Sequence, residues 1–207
     1  MVTPPEKFNL EERRTNWDTF YRERVIEQVP WYTHDLDSDL DKEIKSRNIS
    51  GGAFLDLGTG PGTQAFCLAK LGFDTTASDI SSYAINDARK RFPGVNFVED
   101  DILDSQFTEN KFNYIFDRGC LHVFKSEQRL AYLFHITRIL KEGGLLFLKC
   151  MSKEENGPHK GPSKFSAEEI AEFFSLKFDV KSISNTVYQG TLDPLPKALF
   201  AVIEKKL

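Results

Sequence analysis

The sequence predicts an α/β protein, a mostly parallel sheet with helices on both faces. Three observations carry that reading. Short apolar runs alternate with segments of helical period through residues 51–150. A Gly-rich turn, Gly58-Thr59-Gly60-Pro61-Gly62, joins the first apolar run to the first helical segment. Acids stand at the ends of successive runs, at Asp79, at Asp100 and Asp101, and at Asp117.

The elements follow in order. Ala53–Leu57 is the first strand, and Ala65, Phe66, Leu68, Ala69 and Leu71 give the next helix its apolar face. Gly72 ends that helix. Residues 73–78 form the second strand, closed by Asp79; Ser81 or Ser82 caps a helix carrying Ala84, Ile85 and Ala88. Pro93-Gly94 breaks it. Residues 95–98 are a short third strand and residues 112–116 a fourth, which ends at Asp117. Ser126 is expected to cap a helix with the core stripe Leu130, Leu133, Phe134 and Thr137, stopped by Gly143-Gly144. Residues 145–150 are the fifth strand. Ser166 and Glu169 have capping-box spacing ahead of Ile170, Phe173 and Phe174. Residues 177–186 and 197–205 are the last two strands. Only a loop joins them, so they pair antiparallel at one edge.

At 207 residues the chain fits one compact domain with an elaboration. Residues 1–50 read as an N-terminal helical cap segment, rich in charge and aromatics, ahead of an α/β domain over 51–207. The net charge of −4 gives no support for nucleic-acid or anionic-membrane binding. No apolar run approaches the ~20 residues of a membrane span. The first residues are polar, without a signal-peptide core, so a cytoplasmic location is expected. Cys67, Cys120 and Cys150 are widely spaced and lack a CxxC pair, which argues against a metal site or disulfide framework. They are expected to be buried filler.

Ligands of such sheets bind at the carboxyl ends of the strands, near the switch point of the strand order. Asp79 lies about twenty residues beyond the glycine turn, where an acid takes ribose hydroxyls; it could also serve as a helix cap. Two cofactors compete for the crevice. Gly60-Pro61-Gly62-Thr63-Gln64-Ala65 fits a dinucleotide fingerprint. The longer string Asp56-Leu57-Gly58-Thr59-Gly60-Pro61-Gly62 places a carboxylate just before the turn. That carboxylate would repel a pyrophosphate and attract a sulfonium or ammonium. The chemistry therefore favours S-adenosyl-L-methionine (SAM), although Asp56 could also be a structural acid binding loop N–H groups.

These residues resemble the class I SAM-dependent methyltransferases, within the group of thiopurine, thiol and tellurite methyltransferases. The resemblance runs from about Trp17 onward. It rests on Trp17 and Tyr21, Pro30-Trp31-Tyr32, the loop Asp56 to Gly62, and Asp79. It continues through Glu99-Asp100-Asp101-Ile102, Phe116-Asp117-Arg118-Gly119-Cys120-Leu121-His122 and Leu140-Lys141-Glu142-Gly143-Gly144. It implies a Rossmann-like seven-stranded mostly parallel sheet with one antiparallel edge strand. It also implies residue roles. Asp56 with Gly58, Thr59, Gly60 and Gly62 would flank the methionine part of SAM. Asp79 would take the ribose hydroxyls and Ile80 would pack on adenine. Asp101, with the Ile102 N–H, would take the adenine edge. Asp117 would sit between cofactor and acceptor, and Trp17 and Trp31 would close the site.

Candidate bases are few. Asp117 and His122 are the catalytic candidates; His122 could equally be a first-turn helix residue. His135 lies within a helix and reads as structural. His34 and His159 fall on loops, the latter in residues 157–162, a candidate lid or surface turn. No Asn-Pro-Pro-Tyr motif follows the fourth strand, which disfavours methylation of a base or glutamine amide. The expected function is transfer of a methyl group to a small molecule, led by a thiol, selenol, halide or metalloid. The alternatives are an O- or N-methyltransferase of a small metabolite, an NAD(P)-binding reductase, or an inactive SAM-binding module. A monomer or weak homodimer is expected, with no metal.

Overall fold

The computed structural model describes residues 10–156 and 162–207. Its strands are β1 (Ala53–Leu57), β2 (Asp74–Asp79), β3 (Asn96–Glu99), β4 (Phe112–Arg118), β5 (Leu140–Met151), β6 (Phe178–Val187) and β7 (Lys197–Lys205). Its helices are α1 (Leu10–Arg22), α2 (Ser38–Ser46), α3 (Thr63–Lys70), α4 (Ser82–Arg91), α5 (Ser126–Ile139) and α6 (Ala167–Phe174). The strands form one seven-stranded sheet in the order β3-β2-β1-β4-β5-β7-β6. Strands β1 to β5 pair parallel, and β7 runs antiparallel to both β5 and β6. The chain first builds outward from β1 through β2 to β3, then returns to β1's other side with β4. The β1–β4 junction is therefore the switch point.

The antiparallel strand is one place in from the edge. Strand β7 is apolar from Ala198 to Ile203 and buried on both faces there, as an interior strand must be. Strand β6 is broken by polar residues along its length and lies at the rim.

Alternation along each strand sends successive side chains to opposite faces. Leu55, Leu57, Ile115, Leu146 and Leu148 pack with α5 and α6. Phe54, Phe116, Phe147 and Phe200 face the other way, against Leu40 and Ile44 of α2 and Leu68 of α3. Burial of each such side chain contributes about 1.5–3 kcal/mol. Beyond the apolar rows, the same parity continues into the strand ends. Asp117 shares its face with Ile115, whereas Asp56, Arg118 and Lys149 share theirs with Phe54, Phe116 and Phe147.

Caps set most helix starts as expected. Ser81 Oγ accepts from Ala84 N at 3.1 Å ahead of α4. The Ser166–Glu169 box is reciprocal, with bonds of 2.9 and 3.3 Å. Three expectations change. Ser126 is the first residue of α5, not its cap; Gln128 Oε1 accepts from Lys125 N at 3.0 Å. The buried stripe of α5 is Ala131, Tyr132, His135, Ile136 and Ile139, and Leu130 faces solvent at 69% exposure. Tyr132 fixes that rotation, because its hydroxyl reaches Asp117 below the helix. Gly143-Gly144 does not stop α5 either. The helix passes directly into β5 at Leu140, and residues 141–144 bulge where the β4–β5 register shifts.

Candidate cofactor and acceptor site

The glycine loop leaves β1 at the switch point. Asp56 Oδ2 accepts from Thr59 Oγ1 at 2.5 Å and from Ala65 N at 3.1 Å, so it ties the loop to the start of α3. Gly60 adopts φ +45°, and a Cβ there would overlap the Tyr21 hydroxyl. Gly62 caps α3 at φ +79°, with Ala88 and Phe97 so close that a Cβ would lie 2.9 Å from the alanine methyl. Gly60 N donates to Asp79 Oδ2 and Ser81 N to Asp79 Oδ1, both at 2.9 Å. Asp79 thus clamps the end of β2 to the loop, while Ser81 caps α4. Burial raises the pKa of both Asp56 and Asp79 to about 6, against the backbone and hydroxyl donors that lower it.

Past β3, Asp101 Oδ1 accepts from Leu103 N at 3.1 Å and begins a 3-10 turn at Ile102, which is buried. Ile80, just beyond β2, is half-buried. Helix α1 lies over these strand ends. Arg13 pairs bidentately with Asp101, and Arg14 with Glu99 at 2.6 Å. Asp18 Oδ1 accepts from Ser81 Oγ at 2.6 Å and from Tyr83 N at 2.9 Å. The end of α1 carries an aromatic roof. Phe20 stacks on Trp31 at 5.3 Å, Trp17 meets Trp31 edge-on at 6.4 Å, and buried Tyr21 bonds the Trp31 side chain. The cavity left against Gly60 measures about 110 Å³, below the ~300 Å³ of ordinary ligand pockets. Both tryptophans therefore belong to the roof. The Arg13 and Asp18 contacts had no sequence signal beyond a charged segment.

On the far side of the switch point, both catalytic candidates hold hydrogen bonds of their own. Asp117 Oδ1 accepts from Gly119 N and Cys120 N at 3.0 and 2.6 Å. Its Oδ2 accepts from Leu121 N and Tyr132 Oη at 3.0 and 2.7 Å. Four donors fill a carboxylate's capacity, so Asp117 folds its own loop. Its parity with Ile115 turned it toward α5. Burial raises its pKa to about 6. His122 sits in the 3-10 turn Leu121–Val123, and its Nδ1 accepts from Met151 N at 3.3 Å. That bond leaves the ring proton on Nε2, and burial, aided by Arg118, lowers the pKa to about 3. His122 is therefore neutral at pH 7. His135 is buried on the α5 stripe, His34 is exposed, and His159 lies outside the described residues, as do 157–161 of its loop. Cys150 is buried and Cys67 and Cys120 are half-buried.

A buried ion cluster without any local sequence signal lies on the sheet face opposite Asp117. Lys149 Nζ lies 2.7 and 2.8 Å from the two carboxylate oxygens of Asp37, the cap of α2, and 2.7 Å from Asp39. Arg118 Nε bonds Asp37 at 2.8 Å and its Nη1 bonds the Trp31 carbonyl at 2.8 Å.

The donor set fits SAM. Asp79 and Asp101 keep acceptor capacity for hydroxyls and an amine, and Asp56 and Asp79 are buried acids with no ion-paired cation among the described residues. Residues 54–144 match the family model described as a methyltransferase domain. That stretch is similar to methyltransferase domains. The cypemycin N-terminal methyltransferase of Streptomyces sp is 32% identical over 112 residues, which is 53% of this chain and 46% of that protein. The chain spans less than half the length of the curated relatives it matches. Among solved structures, one described as "Conversion of a Disulfide Bond into a Thioacetal Group during Echinomycin Biosynthesis" has a TM-score of 0.80 at 23% identity, covering 94% of this chain and 93% of that one. The Burkholderia thailandensis 1,6-didemethyltoxoflavin-N1-methyltransferase, solved with S-adenosylhomocysteine, has a TM-score of 0.75 at 18% identity, covering 100% and 94%. These likenesses show the fold. No helix among the described residues is long and apolar enough to cross a membrane.

Proposed function

We propose that this methyltransferase transfers a methyl group to a small molecule whose acceptor atom is itself a strong nucleophile, with a thiol, selenol, halide or metalloid as the leading class. SAM, when bound, supplies a sulfonium-activated methyl group. Asp56 with Gly58, Thr59, Gly60 and Gly62 would hold its methionine end. Asp79 would take the ribose hydroxyls, Ile80, Asp101 and Ile102 would hold the adenine, and Trp31 would exclude water. Residues 1–50 would act as the cap over the domain of 51–207, in a cytoplasmic monomer or weak homodimer.

The observation that carries the acceptor class is that both candidate bases are already engaged. Asp117 accepts four hydrogen bonds and His122 uses its one lone pair on Met151 N. A hydroxyl acceptor needs a base in reach. A thiol, whose pKa is near 8.5, supplies its own thiolate. A neutral amine also brings its own lone pair. The N1 position named for the toxoflavin enzyme makes an N-methyltransferase the second reading.

Two measurements test the proposal. Calorimetry should give binding of SAM and S-adenosylhomocysteine and none of NADH. Turnover of labelled SAM against matched thiol, amine and phenol acceptors should follow the ionised fraction of the thiol as pH rises. Phenol turnover exceeding thiol turnover would sink the acceptor class. His122→Gln should keep turnover within about threefold, since the ring serves as a donor. A hundredfold loss in the folded variant would restore His122 as the base.

A further inference from the structure

We infer that the buried Asp37–Lys149–Arg118 cluster is a positioning device for the acceptor, fixing Trp31 and residues 187–191 as one wall beside the reacting methyl. The inference rests on the methyltransferase reading and adds to it the residues that shape the acceptor side.

The cluster joins three stretches distant in sequence. Arg118 spreads its guanidinium over Asp37, the Trp31 carbonyl and the Gln189 carbonyl. Lys149 is fully buried, and besides Asp37 and Asp39 its ammonium reaches Gln189 Oε1 at 2.7 Å and the Val187 carbonyl at 3.3 Å. Gln189 Nε2 returns to Ser38 Oγ at 2.9 Å. Tyr188 bonds the Lys149 carbonyl at 3.0 Å and lies under the Arg118 guanidinium, 5.2 Å from ring centroid to charge. Gly190 packs so closely on Pro30 that a Cβ would overlap the Pro30 carbonyl. The segment before α2 and the loop between β6 and β7 are thus one unit, bolted to the sheet by two cations.

Position assigns the wall to the acceptor. The adenosyl-side acids Asp79 and Asp101 follow β2 and β3. Arg118 and Lys149 end β4 and β5, across the switch point from them. Gln189 and Thr191 of this wall also line a groove of about 420 Å³ with Tyr32, His34 and Asp35, a volume within the ~300–1,000 Å³ range for small molecules. Stability alone does not account for the cluster, because a buried ion group is often matched or surpassed by apolar side chains of similar size. What apolar side chains do not supply is a fixed direction for three carbonyls and a tryptophan.

The test uses Gln189→Ala, which removes one arm without stranding a charge, and the double variant Asp37→Asn/Lys149→Met, which removes a charge from each side. The acceptor probe is 4-nitrothiophenol. A Trp17→Phe background leaves Trp31 as the lone tryptophan for acrylamide quenching. The expected result is S-adenosylhomocysteine affinity within about twofold of wild type, thiol KM raised about tenfold in the double variant and less in Gln189→Ala, and stronger Trp31 quenching. Unchanged KM and unchanged quenching in the folded double variant overturn the inference. So does a parallel loss of S-adenosylhomocysteine affinity, which would mark the cluster as general scaffolding. If the thiol is not turned over, quenching alone decides. A wild-type chain that binds no S-adenosylhomocysteine overturns the methyltransferase reading itself, an outcome distinct from binding that persists with an unanchored wall.

Discussion

At the level of single residues, the acids of the cleft divide by what they already hold. Asp79 accepts from the backbone N–H groups of Gly60, Ser81 and Ile80 and has room for one more donor, so Asp79→Ala should weaken SAM binding by roughly 1–3 kcal/mol. Calorimetry checks this, and unchanged affinity would remove the ribose role. Gly60→Ala should lose about 1 kcal/mol or more of stability, since it adds a Cβ at φ +45° under Tyr21; thermal melts measure it. The raised pKa values of Asp56 and Asp79, each about 6, also set a pH dependence. Below pH 6 both carboxyls protonate and lose their attraction for a cationic ligand. SAM affinity should fall about tenfold per pH unit for each group required ionised, and more steeply than that of S-adenosylhomocysteine, which lacks the sulfonium. Parallel pH profiles for the two ligands would disprove the charge role of Asp56. The sequence made Asp56 and Asp79 legible because turn chemistry and spacing are local signals. It could not sort Asp117, because a carboxylate at a strand end looks the same whether it meets a substrate or caps the next turn. The Asp37–Lys149 pair spans 112 residues and left no local trace.

Among elements, α1 is the one whose position matters most for binding. It holds Asp101 through Arg13 and covers Gly60 through Tyr21, leaving too little room beside the loop for a whole ligand. A shift of α1 on cofactor binding is the expected outcome. Hydrogen exchange over residues 10–22 should slow on addition of S-adenosylhomocysteine, and Arg13→Ala should speed it in the free protein. Identical exchange with and without ligand would mean that α1 stays in place. Most strands were read from the sequence to within one or two residues, since apolar runs bounded by Gly, Pro and acids have little alternative; β5 begins five residues earlier than its apolar run because the helix before it passes straight into the strand. Helix α5 was harder. Leu130 and Phe134 looked like core, yet the Tyr132–Asp117 bond and buried His135 set a different face inward. A polar contact chose the rotation, and hydrophobic periodicity does not register polar contacts.

For the whole molecule, stability is a balance of opposed titrations. Asp56, Asp79 and Asp117 have pKa values raised to about 6 by burial. Their contribution is complete below the ordinary carboxyl pKa of 3.8 and is lost as pH rises through 6. Asp37 and Asp18 are held below 3.8, through Lys149 and Arg118 for Asp37 and through Ser81 and Tyr83 N for Asp18, despite burial. Their contribution stands above 3.8 and is lost in acid. Between pH 4 and 6 those two stay ionised, and the three raised acids outnumber the opposing His122, whose pKa is lowered to about 3 by burial, so the ligand-free protein should melt lower at pH 7.5 than at pH 5. Bound SAM should raise the melting temperature more at pH 7.5, where Asp56 and Asp79 are charged. Scanning fluorimetry at the two pH values, with and without SAM, reads both effects; a larger SAM shift at pH 5 would contradict them.

The place of β7 bears on how the chain is made. Strand β7 is written by residues 197–205 but lies between β5 and β6, which are translated earlier. Until β7 leaves the ribosome, β5 has a bare apolar rim and β6 has no neighbour to join. Both are open to pairing with other chains. A premature stop ahead of Lys197 would therefore do more than shorten the protein. It would leave a nascent product with two unpaired strand edges, a substrate for chaperones and proteases rather than a weakened enzyme.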